Sequence, residues 1–161
     1  MHASSAKGET HEAQSSRARR CHRSPYCGNG RGSRSHRWNA WRRRLRGTEQ
    51  ADRISAFAGN DAVYARSGAD DIRAGAGNDG IRGADGGDLA YGGRGDDVVA
   101  GGDGDDRLYG GSDADQVLGG NGNDRAAGNK GSDVVQGGDG DDSLFGGWGP
   151  DRVSVRHVTR F

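Results

Sequence analysis

Aspartate recurs at every ninth residue over most of this 161-residue chain. This series takes in 12 of the 20 aspartates, where random placement would put roughly two in one phase. A carboxylate that returns at a fixed interval occupies the same point in successive copies of one structural unit. We therefore expect these side chains to form rows in the folded protein. The series is Asp52, Asp61, Asp70, Asp79, Asp88, Asp97, Asp106, Asp115, Asp124, Asp133, Asp142 and Asp151.

Glycine dominates the five residues before each of these aspartates, most clearly in the pattern GGxGxD. Glycine enters left-handed backbone conformations without a side-chain penalty, so the pattern predicts a tight turn that points several carbonyl oxygens inward. Carbonyl and carboxylate oxygens suit calcium, which takes six to eight oxygen ligands in flexible geometry. The repeats contain no histidine or cysteine for zinc or copper, and magnesium demands a stricter octahedron. The predicted calcium ligands are Asp61, Asp70, Asp79, Asp88, Asp97, Asp106, Asp115, Asp124, Asp133, Asp142 and Asp151.

The aspartates belong to a nine-residue frame that runs without insertion from Gly47 to Ser154, giving 12 consecutive units. Position six is aspartate, and position eight is Ile, Val, Leu or Ala. Positions seven to nine predict a three-residue strand whose eighth side chain points inward. Two turns and two strands then form one circuit, so each circuit takes two units. The predicted inward residues are Ile54, Val63, Ile72, Ile81, Val99, Leu108, Val117, Val135, Leu144 and Val153, with Ala90 and Ala126 as weaker layers.

The fold class predicted from this frame is all-β, with two parallel sheets in a β-solenoid of six circuits. A formal dinucleotide-binding match at residues 75–80 lacks the strand, the helix and the later acidic residue that such a site needs. The repeat accounts for each of its residues. We therefore predict that the chain is not an enzyme.

The unit GGxGxDxUx resembles the RTX (repeats-in-toxin) family, with the full GGxGxD in the units 92–100, 101–109, 119–127, 137–145 and 146–154. The resemblance implies a right-handed parallel β-roll in which each calcium lies between turns n and n+2. Twelve units would then give up to about 10 sites, five on each edge. It also implies a secreted module that folds on calcium. Early units depart from the pattern, with Gln50 at position four and Phe57 and Arg66 at position two.

The resemblance implies that the function is calcium binding outside the cell. Sites of extracellular modules bind calcium with dissociation constants of roughly 10⁻⁴–10⁻³ M. Two alternatives stay open. The chain could be a non-catalytic C-terminal fragment of a secreted protease, lipase or toxin, or it could present an adhesion surface. The frame places Tyr91, Tyr109, Ala127 and Phe145 in one outward column beside arginines, which either stabilises the sheet or forms a binding strip.

The flanking segments differ from the repeats in charge. Residues 1–46 carry 12 Lys and Arg against 2 Glu, a net of +10, whereas residues 47–161 carry 11 against 21, a net of −10. We predict a disordered basic arm over 1–46, the roll over 47–154 and a short tail over 155–161. Nucleic acid is a weak possibility for the arm and is not expected for the repeats. The pair Cys21 and Cys27 does not have the usual zinc spacing, and no apolar run is long enough to span a membrane.

Overall fold

The computed structural model describes residues 42–155, which form 13 short β-strands. Eleven of the strands have the same length of six residues, and they recur at the nine-residue interval of the repeat. The strands are β1 Arg44–Arg46, β2 Arg53–Ala58, β3 Ala62–Ser67, β4 Asp71–Ala76, β5 Gly80–Asp85, β6 Leu89–Arg94, β7 Val98–Asp103, β8 Arg107–Ser112, β9 Gln116–Asn121, β10 Arg125–Lys130, β11 Val134–Asp139, β12 Ser143–Trp148 and β13 Arg152–Ser154.

The strands alternate between two parallel sheets, so that the chain winds as a solenoid of about six turns. One sheet has seven strands in the order β1-β3-β5-β7-β9-β11-β13, and the other has six in the order β12-β10-β8-β6-β4-β2. Every strand pairs with the strand two places along the chain, in a register offset of two repeat units, as in the pair of Val63 with Ile81. This confirms the predicted all-β, two-sheet parallel roll.

Each strand is longer than the three residues that the pattern predicts. It continues through positions one to three of the next unit, so the glycine pair lies inside the ladder, where Gly93 pairs with Gly111. The predicted turn is correspondingly shorter. Glycine contributes little to strand formation by itself, and here pairing with the neighbouring circuits includes it in the ladder.

The core is one layer of side chains between the sheets, built from positions eight and one. The predicted alternation is confirmed, since position eight is inward while positions seven and nine face outward. Position one is also buried, as at Ala56, Ala65 and Ala74, which the sequence analysis did not predict. The prediction for Val153 is wrong: its side chain is 46% exposed, because among the described residues no further circuit covers it.

Positions two and four of the unit adopt positive φ, which explains why glycine dominates there. Gly93 and Gly95 have φ of 128° and 107°. A Cβ at Gly93 would also collide with the backbone carbonyl of Gly75 in the preceding circuit. From the second unit onward, a residue other than glycine at these positions also has positive φ and carries backbone strain. Those residues are Phe57, Arg66, Ala84, Asp113 and Asn129, with φ between 74° and 87°.

The strand register begins before the first repeat. β1 lies within the predicted basic arm and pairs with β3, where Leu45 is opposite Val63 and packs against the core. The remainder of that arm and most of the predicted tail, together with Cys21 and Cys27, lie outside the described residues.

Candidate metal site

Two rows of buried aspartates run along the two edges of the roll, one at each edge where the sheets meet. Position six immediately precedes a strand, and the two-unit circuit brings every second aspartate to the same edge. Side chains in the middle of the rows are almost fully buried, with 1% exposure at Asp106 and Asp124. One row is Asp52, Asp70, Asp88, Asp106, Asp124 and Asp142, and the other is Asp61, Asp79, Asp97, Asp115, Asp133 and Asp151.

A hydrogen-bond ladder fixes each aspartate in its row. Oδ1 accepts a hydrogen bond from the backbone N–H of the residue 18 positions earlier, at 2.7–3.0 Å throughout. Asp124, for example, accepts from Asp106 at 2.9 Å, and its own amide donates to Asp142 at 3.0 Å. From Asp61 to Asp151, one oxygen of each carboxylate in the rows is therefore used to join consecutive circuits.

The other carboxylate oxygen, Oδ2, is buried without a hydrogen-bond donor in ten of these aspartates. Burying a polar atom with no partner costs free energy, and burying an ionised one costs more. Such an atom in a regular row indicates a partner of another kind. The ten are Asp61, Asp70, Asp79, Asp88, Asp97, Asp106, Asp115, Asp124, Asp133 and Asp142.

The two ends of the rows differ from the middle. Asp151, the remaining predicted ligand, is only half-buried and does not share the unpartnered oxygen. Asp52, which was not among the predicted ligands, has its Oδ2 hydrogen-bonded to the amide of Thr48 at 2.6 Å.

Position one lies directly beneath the unpartnered oxygen. A Cβ at Gly101 would collide with Oδ2 of Asp106 and would lie 2.8 Å from the carbonyl oxygen of Gly119 in the next circuit. Gly83 has the same surroundings, made by Asp88 and the carbonyl oxygen of Gly101 at 2.6 Å. A carboxylate oxygen and a backbone carbonyl oxygen therefore converge where a side chain is absent. All of these donors are hard oxygen atoms, which calcium prefers.

Four copies of the family model for the RTX calcium-binding nonapeptide repeat match the chain, at residues 44–72, 55–90, 82–117 and 118–153. Together they span most of the sequence. The chain belongs to the RTX calcium-binding repeat family. This family implies calcium binding by a structural, non-catalytic module, and its members are typically secreted. Searches of curated proteins and of solved structures found no match.

The RTX rows fit calcium by their donor set. Within residues 42–155, no three Asp, Glu, His or Cys side chains converge on one point, so backbone carbonyl oxygens or water would have to supply the remaining ligands of a cation held here. In units with alanine at position one, such as the unit of Ala74, the methyl group of the alanine occupies the space beneath the unpartnered carboxylate oxygen. Glycine at position one leaves this space free, as at Gly83. Early RTX units are therefore less open to a cation than the middle ones.

Electrostatics also favour a cation in the RTX rows. Burial raises the pKa of Asp88 to about 6 and the pKa of Asp97, Asp106 and Asp115 to about 7, and repulsion from neighbouring aspartates in the row adds to this. The pKa values of four further row members are raised for the same main reason. These are Asp70, Asp79, Asp124 and Asp133.

A second ladder lies outside the aspartate rows, at position five. Here a side-chain oxygen accepts a hydrogen bond from the backbone N–H of the residue 18 positions later, so this ladder runs in the opposite direction. Asn123 donates to Asp105 at 2.8 Å, and Asp141 donates to Asn123 at 2.9 Å. The sequence analysis missed this ladder, although Asn or Asp at position five of several units is its signal. It stabilises the turns without burying charge.

Proposed function

We propose that this chain is a secreted module that folds around calcium and has no catalytic role. The ten buried Oδ2 atoms without donors carry the proposal. At Asp88, Asp97, Asp106 and Asp124 this oxygen also lies near a backbone carbonyl oxygen of the next circuit. We assign up to about ten ions to the two rows. Their ligands are Asp61, Asp70, Asp79, Asp88, Asp97, Asp106, Asp115, Asp124, Asp133, Asp142 and Asp151, together with backbone carbonyl oxygens.

The role of the ion is structural. Stacked circuits place like charges one strand apart, and bound calcium supplies the positive charge that cancels this repulsion. The core offers limited compensation, because its layers at Ala90 and Ala126 hold only a methyl group each. Each site filled at about 100 times its dissociation constant adds roughly 2.7 kcal/mol of stability. A row of such sites decides whether the circuits stack.

The cellular location of the folded module follows from the calcium affinity expected of its sites. Sites of extracellular modules bind calcium at roughly 10⁻⁴–10⁻³ M and stay empty at cytosolic concentrations. We therefore place the folded module outside the cell, in agreement with the usual location of the family. The described residues include no helix with the length and hydrophobicity for a membrane span.

Calcium titration of the full chain, followed by far-UV circular dichroism, tests the proposal. We expect little β signal in a chelator, a cooperative gain as calcium reaches the millimolar range, and no equivalent gain with magnesium. A full β signal and a sharp thermal transition in the chelator would contradict calcium-dependent folding.

A matched pair of substitutions tests the ligand assignment. Asp106→Asn keeps the Oδ1 acceptor and removes one buried charge, and it should raise the calcium midpoint. Asp105→Asn changes the exposed neighbour in the same way and should leave the midpoint nearly unchanged. Equal midpoints for the two variants would remove Asp106 from the ligand set.

Recovery of the native chain from the medium of producing cells tests the location, and retention inside them would refute it.

A further inference from the structure

The outer face of the six-stranded sheet carries a column of position-nine side chains. The rings of Tyr91 and Tyr109 are stacked in this column, with centroids 4.8 Å apart and planes within 9° of parallel. The guanidinium of Arg73 lies 5.7 Å from the centroid of Tyr91 and covers the end of the stack. One face of Tyr91 is thus used by Arg73, and its other face is used by Tyr109.

The column is interrupted one strand further on. Ala127 pairs with Tyr109 on one side and with Phe145 on the other, so a methyl group lies between two aromatic side chains. Strands two places apart are separated by about 9.6 Å. A six-membered ring above Ala127 would lie midway, at the 4.8 Å spacing that already separates Tyr91 from Tyr109. Phe145 is 64% exposed and lies on β12, the edge strand of this sheet. We call the space above Ala127, between Tyr109 and Phe145, the Ala127 slot.

Polar groups lie at both ends of the floor of the Ala127 slot. Arg125 and Asn129 are two residues before and after Ala127 on the same face of β10. Arg125 is directly opposite Arg107 on β8, and like charges in opposite positions of a sheet repel each other. Among the described residues, neither arginine has a carboxylate within salt-bridge distance.

A shallow cavity of about 360 Å³ lies beside the two arginines at the edge of the sheet. Its lining includes four carboxylates, those of Asp105, Asp106, Asp124 and Asp141, as well as Arg107 and Arg125. The carboxylates come from the turns, whereas the arginines come from the strands that carry the slot. A bound anion would be attracted at the arginine side and repelled at the turn side, so its position is restricted to the slot.

We propose that the Ala127 slot binds a six-membered ring that carries a carboxylate, with the ring between Tyr109 and Phe145 and the carboxylate on Arg125 and Arg107. Two sources supply this chemistry, an aromatic acid and a uronic acid unit of a polysaccharide. In both acids, a face of the ring packs against an aromatic side chain of the slot. The carboxylate forms ion pairs with the two arginines. The ring of the ligand lies outside the calcium rows, whereas the two arginines border Asp106 and Asp124 of one row, so binding is tested with calcium present.

Isothermal titration calorimetry of the full chain in millimolar calcium tests the proposal, after circular dichroism has shown the β signal. The probes are benzoate and digalacturonate, each compared with a neutral partner, benzyl alcohol and galactose. We expect at least one acid to bind, and its neutral partner to bind at least about tenfold more weakly. Binding of benzoate alone assigns the aromatic source, and binding of digalacturonate alone assigns the uronic acid. Absence of binding by both acids overturns the proposal.

The decisive variant fills the slot with an aromatic side chain introduced at position 127. Ala127→Tyr should weaken binding of the acid at least about tenfold, because its ring takes the place between the two walls. It should keep or raise the thermal midpoint, since the stack then continues. Ala100→Tyr is the matched control, an equivalent outward position on the seven-stranded sheet between Arg82 and Leu118, and it should bind like the native chain.

Arg125→Gln tests the charge contact separately. It should reduce the affinity for the acid about tenfold and leave the weak binding of the neutral ring unchanged. If Ala127→Tyr binds the acid as well as the native chain does, or if Arg125→Gln has no effect on an acid that binds, the ligand lies elsewhere and the slot assignment is wrong.

Discussion

Acidifying a calcium-free solution should stabilise the roll, in contrast to the usual effect of acid on proteins. The pKa values of Asp88, Asp97, Asp106 and Asp115 lie above the value of 3.8 expected in an unfolded chain, because burial disfavours the charged form. The folded state therefore binds more protons than the unfolded state between about pH 4 and pH 7. The stabilisation is fully present below the unfolded pKa, and it is lost as the pH rises through the folded values of about 6 and 7.

The size of the effect follows from four carboxyls. At pH 6 in the roll, Asp88 is about half protonated, and Asp97, Asp106 and Asp115 are each about nine-tenths protonated. An unfolded chain would carry almost no protons at these positions, so folding takes up about three. The free energy of unfolding should then fall by on the order of 4 kcal/mol for each pH unit near pH 6.

Far-UV circular dichroism in a chelator at several pH values between 5 and 8 follows the folded fraction of the calcium-free chain, which should rise as the pH falls. Urea unfolding at the pH values where the roll is folded then measures the slope. Calcium should show the reverse trend, because its ligands must lose their protons before they bind it. The calcium midpoint should therefore rise as the pH falls, even though the calcium-free roll becomes more stable.

Asp106→Asn mimics the protonated side chain and provides the control. It should raise stability at pH 8 without calcium and reduce the proton uptake at pH 6 by about one. Asp105→Asn, on the exposed neighbour, should change the slope much less. A calcium-free chain with equal or weaker β signal at pH 5 than at pH 8 would refute the reasoning from burial.

Three further experiments test other parts of the structure. Asp124→Ala should raise the calcium midpoint more than Asp52→Ala does, because Asp124 is buried between two circuits, while the Oδ2 atom of Asp52 already accepts a hydrogen bond; equal shifts would contradict this. Ala84→Gly should stabilise the roll by roughly 0.5–1 kcal/mol in thermal unfolding, since it relieves a φ of 87°. Leu108→Ala should cost about 2–5 kcal/mol in urea unfolding and Val153→Ala much less, because Leu108 is fully buried; similar losses would mean that the end of the core is covered.

The period of the sequence was sufficient to predict the architecture. A constant interval of nine fixes which strands pair, which residues share an edge and which side chains point inward, and Leu108 and Tyr91 lie where the frame places them. Strand length was not predictable in this way. Glycine has a low intrinsic preference for strands, and the inclusion of Gly111 in a strand depends on its pairing with circuits on both sides.

The sequence contains a signal for burial at position one that the sequence analysis did not use. Only Gly or Ala occurs there in all 12 units, a restriction that is typical of a buried position without room for a longer side chain. The exposure of Val153 depends on its neighbours in space, which its own unit does not encode. The direction of the Oδ1 bonds, and hence the isolation of Oδ2 at Asp106, required coordinates.

The aspartate ladder joins each circuit only to the next one, and this has a mechanical consequence. A force applied to the two ends of the chain acts on a terminal circuit, which is bound to one neighbour only. When that contact breaks, it releases one circuit of two units and transfers the load to an equivalent contact behind it. The chain should therefore lengthen in equal steps of about 60 Å, the reach of two fully extended units. Such a protein would act as a tether that extends one circuit at a time and keeps the remaining circuits intact.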